Sequence, residues 1–153
     1  MEEKTKKIHI LIIDDDADLR RLFGAKLAGA GFEVLYGSNG DDGREMARRF
    51  QPDLILLDIR MPGNDGYTIA RRLKNEPQTK GIPVVFLTNE DFTPEGAKAV
   101  KELWVVDYIH KSMELNEFVE RVQKILREHP KQDPPLENEQ KASDEEKQEA
   151  SDK

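Results

Sequence analysis

The chain contains no cysteine, which removes disulfides and thiolate metal sites from consideration. It also lacks any apolar run of membrane-span length. The first such run, Ile8 to Ile13, is interrupted by His9 and is too short even for a signal-peptide core. Clustered positive charge is missing as well. A formal net charge of −7 argues against a nucleic-acid-binding surface and suits a protein that engages cations or basic partner surfaces. From these absences we expect a cytoplasmic protein that meets neither nucleic acid nor membrane.

What is present suits one folded unit, because 153 residues leave room for a single core. The last part of the chain changes character. From Lys131 onward there are four lysines against eight acids, and Leu136 is the one large aliphatic residue. Such a segment buries too little apolar surface to offset the entropy of ordering it, so disorder is expected. The expected organisation is an N-terminal extension over 1–7, a domain over 8–128 and a disordered acidic, polar tail over 129–153. No second domain follows on this reading, so the output of a stand-alone module must pass through another protein.

Within the domain two apolar patterns alternate. Near-continuous runs at Ile8–Ile13, Phe32–Tyr36, Leu54–Leu57, Val84–Leu87 and Val105–Ile109 predict strands buried on both faces, as in a parallel sheet. Between them lie stretches of helical period. Leu19, Leu22, Phe23 and Leu27 form one stripe, and Leu115, Phe118, Val119, Val122 and Leu126 form another. Gly29 and Gly31 are placed to close the first helix, and Thr93-Pro94 reads as an N-cap followed by a first-turn proline. The order is βα five times over. It predicts a doubly wound α/β fold whose ligands bind beyond the carboxyl ends of the strands.

That rule directs attention to the residues after each strand. Asp14, Asp15 and Asp16 follow the first, Asp58 the third, Thr88 the fourth and Lys111 the fifth. Alone, each has an ordinary reading: Asp16 as the N-cap of the first helix, Asp58 as a turn former, Thr88 as a strand-end hydroxyl, Lys111 as a solvated surface charge. Together they make a kit. Asp14, Asp15 and Asp58 would repel one another unless a hard, oxygen-seeking cation such as Mg²⁺ joined them. An ionised aspartate can be the nucleophile of phosphoryl transfer, with hydroxyl and ammonium donors receiving the transferred oxygens.

At these residues the chain resembles the receiver domain of two-component response regulators, over about residues 7–128. The resemblance is carried by LIIDDD at the first strand, DLILLDIRMPGNDG at the third, PVVFLT at the fourth and DYIHK at the fifth. It implies a flavodoxin-like (βα)5 fold with strand order 2-1-3-4-5. It implies that Asp58 accepts the phosphoryl group, that Asp14, Asp15, Asp58 and the Arg60 backbone carbonyl hold Mg²⁺, and that Lys111 contacts the phosphoryl. Thr88 and Tyr108 match the residues that reorient on phosphorylation. The implied donor is a sensor histidine kinase or a phosphotransfer protein. The implied output surface for a downstream protein is the face made by the fourth helix, fifth strand and fifth helix. Such a module is no enzyme beyond its own phosphorylation and dephosphorylation.

Four departures from the family pattern stand out. Ser112 replaces the proline after Lys111, Trp104 stands where glycine is common, Asn89 replaces a small residue after Thr88, and Asn64 replaces a common methionine. Asn89 and Glu90 flank the site, and Arg60 and Glu90 are placed to pair across its mouth. Two other readings compete. Asp14 and Asp16 satisfy the D-x-D of a haloacid-dehalogenase-like phosphatase, with Asp14 as nucleophile, although no cap domain or late acidic motif accompanies them. A non-phosphorylated pseudo-receiver is the third, although such an interaction module needs none of these groups.

Overall fold

Ten elements alternate in a computed structural model that describes residues 6–63 and 65–134. Residues 1–5, Asn64 and 135–153 lie outside the described residues, and with them most of the expected extension and tail. The elements are β1 (His9–Ile13), α1 (Ala17–Gly29), β2 (Glu33–Gly37), α2 (Gly40–Phe50), β3 (Leu54–Leu57), α3 (Gly66–Asn75), β4 (Val84–Thr88), α4 (Pro94–Glu102), β5 (Asp107–His110) and α5 (Leu115–Glu128). The strands form one parallel sheet in the order β2-β1-β3-β4-β5, as the resemblance implied.

The continuous apolar runs are explained by what lies on each face. Leu11, Ile13, Ile55, Leu57 and Phe86 point toward α2, α3 and α4. Their neighbours Ile10, Ile12, Leu54, Leu56, Val85 and Leu87 point toward α1 and α5. Alternate residues of a strand face opposite ways, so a strand covered on both sides has no polar position to spare. Each fully buried aliphatic side chain contributes roughly 1.5–3 kcal/mol. Phe23 of α1 meets Phe118 of α5 edge to face at 4.9 Å, which ties the two helices on that face.

Short polar side chains start the helices. Asp16 and Thr93 are N-caps, as expected, and Asn39, Asp65 and Glu114 cap α2, α3 and α5. Each accepts backbone N–H bonds that the first helical turn leaves open. At the other end of α1, Gly31 turns the chain with φ at 98°, while Gly29 is still helical. Leu22, expected in the stripe, is exposed. Helix α1 instead buries Phe23, Gly24 and Leu27, the glycine sitting where Tyr36 crosses the helix.

Strand β5 begins two residues later than expected. Val105 N–H donates to Val100 O at 3.1 Å, closing the end of α4, so the chain enters the sheet only after that turn. Trp104 in this turn has φ at 56° and is 77% exposed. Left-handed backbone explains why glycine suits the position.

The described start of the expected tail, 129–134, is held against the amino ends of the strands. Gln132 N–H donates to Gly81 O at 2.9 Å. Lys131 Nζ donates to Gln51 O at 2.8 Å and lies 3.8 Å from Asp53. The approach at Gly81 is so close that an added Cβ would run into the Gln132 carbonyl. Gly81→Ala is therefore expected to lift this strap, at a cost of roughly 1–3 kcal/mol for the overpacking. Amide exchange at Gln132 should accelerate while exchange in β1 and β3 does not; unchanged protection at Gln132 would contradict the assignment.

Candidate functional site

The carboxyl ends of β1, β3, β4 and β5 open into a cleft of about 250 Å³ lined by Asp14, Asp15, Asp16, Leu19, Asp58, Arg60, Thr88, Asn89, Glu90 and Lys111. Every sequence-predicted site residue except Tyr108 is in that lining. The sheet accounts for the convergence. Asp58 N–H donates to Ile13 O at 2.9 Å, and Lys111 N–H donates to Thr88 O at 2.8 Å, so each functional side chain leaves the sheet beside the next.

Three charged side chains are buried together. Lys111 Nζ lies 2.7 Å from Asp14 Oδ2 and 3.5 Å from Asp58 Oδ2, and all three side chains are less than a tenth exposed. Asp14 spends its other oxygen on Asp16 N–H at 2.9 Å. Asp58 has a carboxyl raised above its ordinary range, first by burial and then by Asp14, while Lys111, the Thr88 hydroxyl and the Arg60 backbone N–H pull it down. Asp15 is exposed at the rim. Carboxylate oxygens of Asp14, Asp15 and Asp58 come within 4.8 Å of one another, a separation that one hard cation can span.

The backbone that leaves Asp58 can pass close to the start of α3 because that helix starts at a glycine. A Cβ at Gly66 would run into the Asp58–Ile59 backbone. The expected mouth pair is present: Arg60 Nε donates to Glu90 Oε1. Tyr108 stays outside the cleft. Its hydroxyl donates to Glu90 O at 2.7 Å and Asp91 O at 3.3 Å, and its ring packs on Phe92 and Phe86. Burial pushes the phenol up to about 12, so it remains a donor. Thr88 Oγ1 is buried and accepts from Glu90 N–H at 3.2 Å. The Lys111–Ser112 peptide is trans, and Lys111 reaches both acids without a proline after it.

Two contributors escaped the sequence reading. Arg20 Nη1 donates to the Asp14 carbonyl at 2.6 Å from one turn into α1; only its spacing from Asp16 hinted at this. His110 bridges the loops after β4 and β5, and its place next to Lys111 was the available signal.

With this geometry stands the family. Residues 10–123 match the response regulator receiver domain, and the chain belongs to that family. Among its relatives, the phosphate regulon transcriptional regulatory protein PhoB of Pseudomonas aeruginosa is 38% identical over 121 residues, 77% of this chain and 51% of that protein. The DNA-binding dual master transcriptional regulator RpaA of Synechocystis is 36% identical over 118 residues, 77% of this chain and 48% of that one. The chain thus spans about half the length of these relatives. In fold it resembles the chemotaxis protein CheY4 of Vibrio cholerae, with a TM-score of 0.74 at 24% identity over 79% of this chain and all of that one. The family match does not favour the phosphatase or pseudo-receiver readings. Among the described residues no helix is long and apolar enough to cross a membrane.

The raised Asp58 carboxyl has a consequence for stability. Folded Asp58 keeps its proton to higher pH than the unfolded chain does, so the folded state binds more protons in that window. The contribution is present below the ordinary value of 3.8 and is lost as pH climbs through the raised folded value. Asp58→Asn is accordingly expected to raise Tm by several degrees at pH 7 in the absence of divalent cations, with the gain shrinking toward pH 4. Equal Tm values at pH 7 would contradict this account.

Proposed function

We propose that Asp58 accepts a phosphoryl group and that the chain is switched by it. The observation that carries this reading is the buried Asp58 carboxylate, 3.5 Å from Lys111 Nζ, in a cleft shared with Thr88, Asp14 and Asp15. An Asp58 oxygen attacks phosphorus, the bond from phosphorus to the donor breaks, and the donor leaves with the electron pair. Lys111 and the Thr88 hydroxyl then face the transferred oxygens as donors.

Asp14, Asp15 and Asp58, with the Arg60 carbonyl, would hold Mg²⁺. Bound there, the ion would neutralise charge on the carboxylates and on the transferring oxygens. The chain's own groups do the orienting. Lys111 is anchored on Asp14, and Asp14 is anchored by Asp16 N–H and Lys111. The Asp58 backbone is fixed by the β1 ladder.

The donor class is a phosphohistidine on a sensor kinase or phosphotransfer protein. Phosphorylation makes Asp58 a dianionic acyl phosphate that draws the Thr88 hydroxyl away from Glu90 N–H. The loop between β4 and α4 follows, and with it Tyr108. The recipient of this change is a protein docking on α4, β5 and α5, where the exposed Trp104 stands among Lys98, Lys101 and Glu102. Beyond this chemistry on itself the chain needs no further enzymatic activity, and its setting is the cytoplasm.

Incubation with acetyl phosphate and Mg²⁺, followed by mass mapping, should place the phosphoryl on Asp58. Asp58→Ala should abolish incorporation. Label on Asp14 would instead favour the phosphatase chemistry. Thr88→Ala should still be phosphorylated but lose the affinity change for its partner. Separately, Arg60→Ala and Glu90→Ala are each expected to shorten the lifetime of the phosphoryl aspartate severalfold, because the pair closes the mouth to water. Lifetimes that match the parent in both variants would exclude that role.

A further inference from the structure

Lys111 is preceded by a histidine and followed by a serine, and the two flanking side chains bond to each other. His110 Nδ1 lies 3.1 Å from Ser112 N and 2.7 Å from Ser112 Oγ. On the other side of the ring, Nε2 lies 2.9 Å from the Asn89 carbonyl oxygen and 3.7 Å from the Asp91 carboxylate. A carbonyl oxygen only accepts, so Nε2 carries the hydrogen. A backbone N–H only donates, so Nδ1 presents its lone pair, and the serine hydroxyl donates to the same atom. One tautomer satisfies every contact.

The partners matter because of what they adjoin. Asn89 follows Thr88 and Ser112 follows Lys111, the two groups placed to meet a phosphoryl on Asp58. The imidazole therefore joins the loop after β4 to the loop after β5, outside the sheet ladder that ends at Lys111 N–H and Thr88 O. Proline at 112 would have no N–H and a fixed φ. Serine has a freer backbone and an N–H that needs an acceptor, and His110 supplies the acceptor. The ring is absent from the cleft lining, so it does not touch reacting atoms.

We propose that His110 is a positioning residue that holds Lys111 and Thr88 in register through Ser112 and Asn89, and so sets the rate of phosphoryl transfer to Asp58. This rests on the reading of Asp58 as acceptor. It assigns to the His110–Ser112 pair the restraint that a proline after the lysine would provide.

The test measures the initial rate of Asp58 phosphorylation by acetyl phosphate at saturating Mg²⁺, with circular dichroism to confirm folding. His110→Val is expected to slow the reaction about tenfold, since small displacements of an orienting group have effects of this order or larger. Ser112→Ala should lose less, and His110→Val with Ser112→Ala should be no slower than His110→Val alone. His110→Gln, whose amide can donate to Asn89, should recover part of the rate. In a Lys111→Met background His110→Val should have little further effect, which a general loss of stability would not reproduce. Nitrogen chemical shifts of His110 in the unmodified protein should show the Nε2–H tautomer. If the wild type is phosphorylated and His110→Val matches it within twofold, or if the His110 and Lys111 effects multiply, the inference is overturned. A wild type that never takes phosphate overturns the reading beneath it and this inference with it.

Discussion

The Lys111 ammonium wedged between Asp14 and Asp58 is the interaction on which the site depends. Two buried carboxylates at the edge of one sheet repel each other, and burial alone disfavours either charge. A single buried ammonium, 2.7 Å from one and 3.5 Å from the other, offsets part of that. It does so unequally: Asp14 holds the shorter contact and a backbone N–H besides, while burial leaves the Asp58 carboxyl raised. The asymmetry suits a division of labour. Asp14 anchors the lysine, and Asp58, whose carboxyl burial raises despite the Thr88 hydroxyl and the Arg60 N–H, faces the cleft where a further positive or electrophilic partner can reach it. Removing the lysine would leave two buried acids without that counter-charge, a cost that falls on the site while the backbone ladder still holds the strands.

That arrangement is possible because the sheet is covered on both faces. Side chains of β1 and β3 are committed to the two cores, and the first positions free to be polar are those where the strands end. Parallel order puts all such ends on one edge, and the β2-β1-β3-β4-β5 order puts β3 beside β1 and β4. Asp58 therefore lies between the acids of β1 and the hydroxyl of β4, with β5 one strand further. The lysine side chain is long enough to cross that last interval. An aspartate at Lys111, or a lysine at Thr88, would not reproduce the geometry even with the same composition.

How much of this was legible in sequence follows from the same physics. Strand ends are set by runs of apolar residues, and those runs can be read without coordinates; Asp14, Asp58, Thr88 and Lys111 were visible for that reason. Caps such as Asp16 and Thr93 are local and were equally visible. Contacts set by side-chain direction were not. Spacing only hinted at Arg20 on the Asp14 carbonyl, a contact set by the direction of a side chain in α1, and it did not place His110 on Asn89, which depends on how two loops meet. Leu22 fitted the helical stripe but is exposed, since Tyr36 crossing at Gly24 sets the face that α1 buries. The strap at 129–134 was hidden by composition: a polar segment reads as tail, yet backbone bonds at Gly81 and Gln51 need no apolar side chain.

The loop after β4 is where these threads meet. Glu90 is bound through its carboxylate by Arg60, through its carbonyl by Tyr108 and through its N–H to Thr88, while Asn89 is held by His110. Four side chains thus grip two consecutive residues. A loop so constrained does not drift continuously; it moves when one of its ties is exchanged for a stronger one. The Thr88 hydroxyl is the tie nearest Asp58 and the one a new dianion would claim. On the proposed reading, its release would free the Glu90 N–H and leave Arg60 at the mouth and Tyr108 beneath α4 to hold the loop. A local charge at Asp58 would thereby have a route toward the surface on which Trp104 is displayed, through contacts present before any phosphoryl arrives.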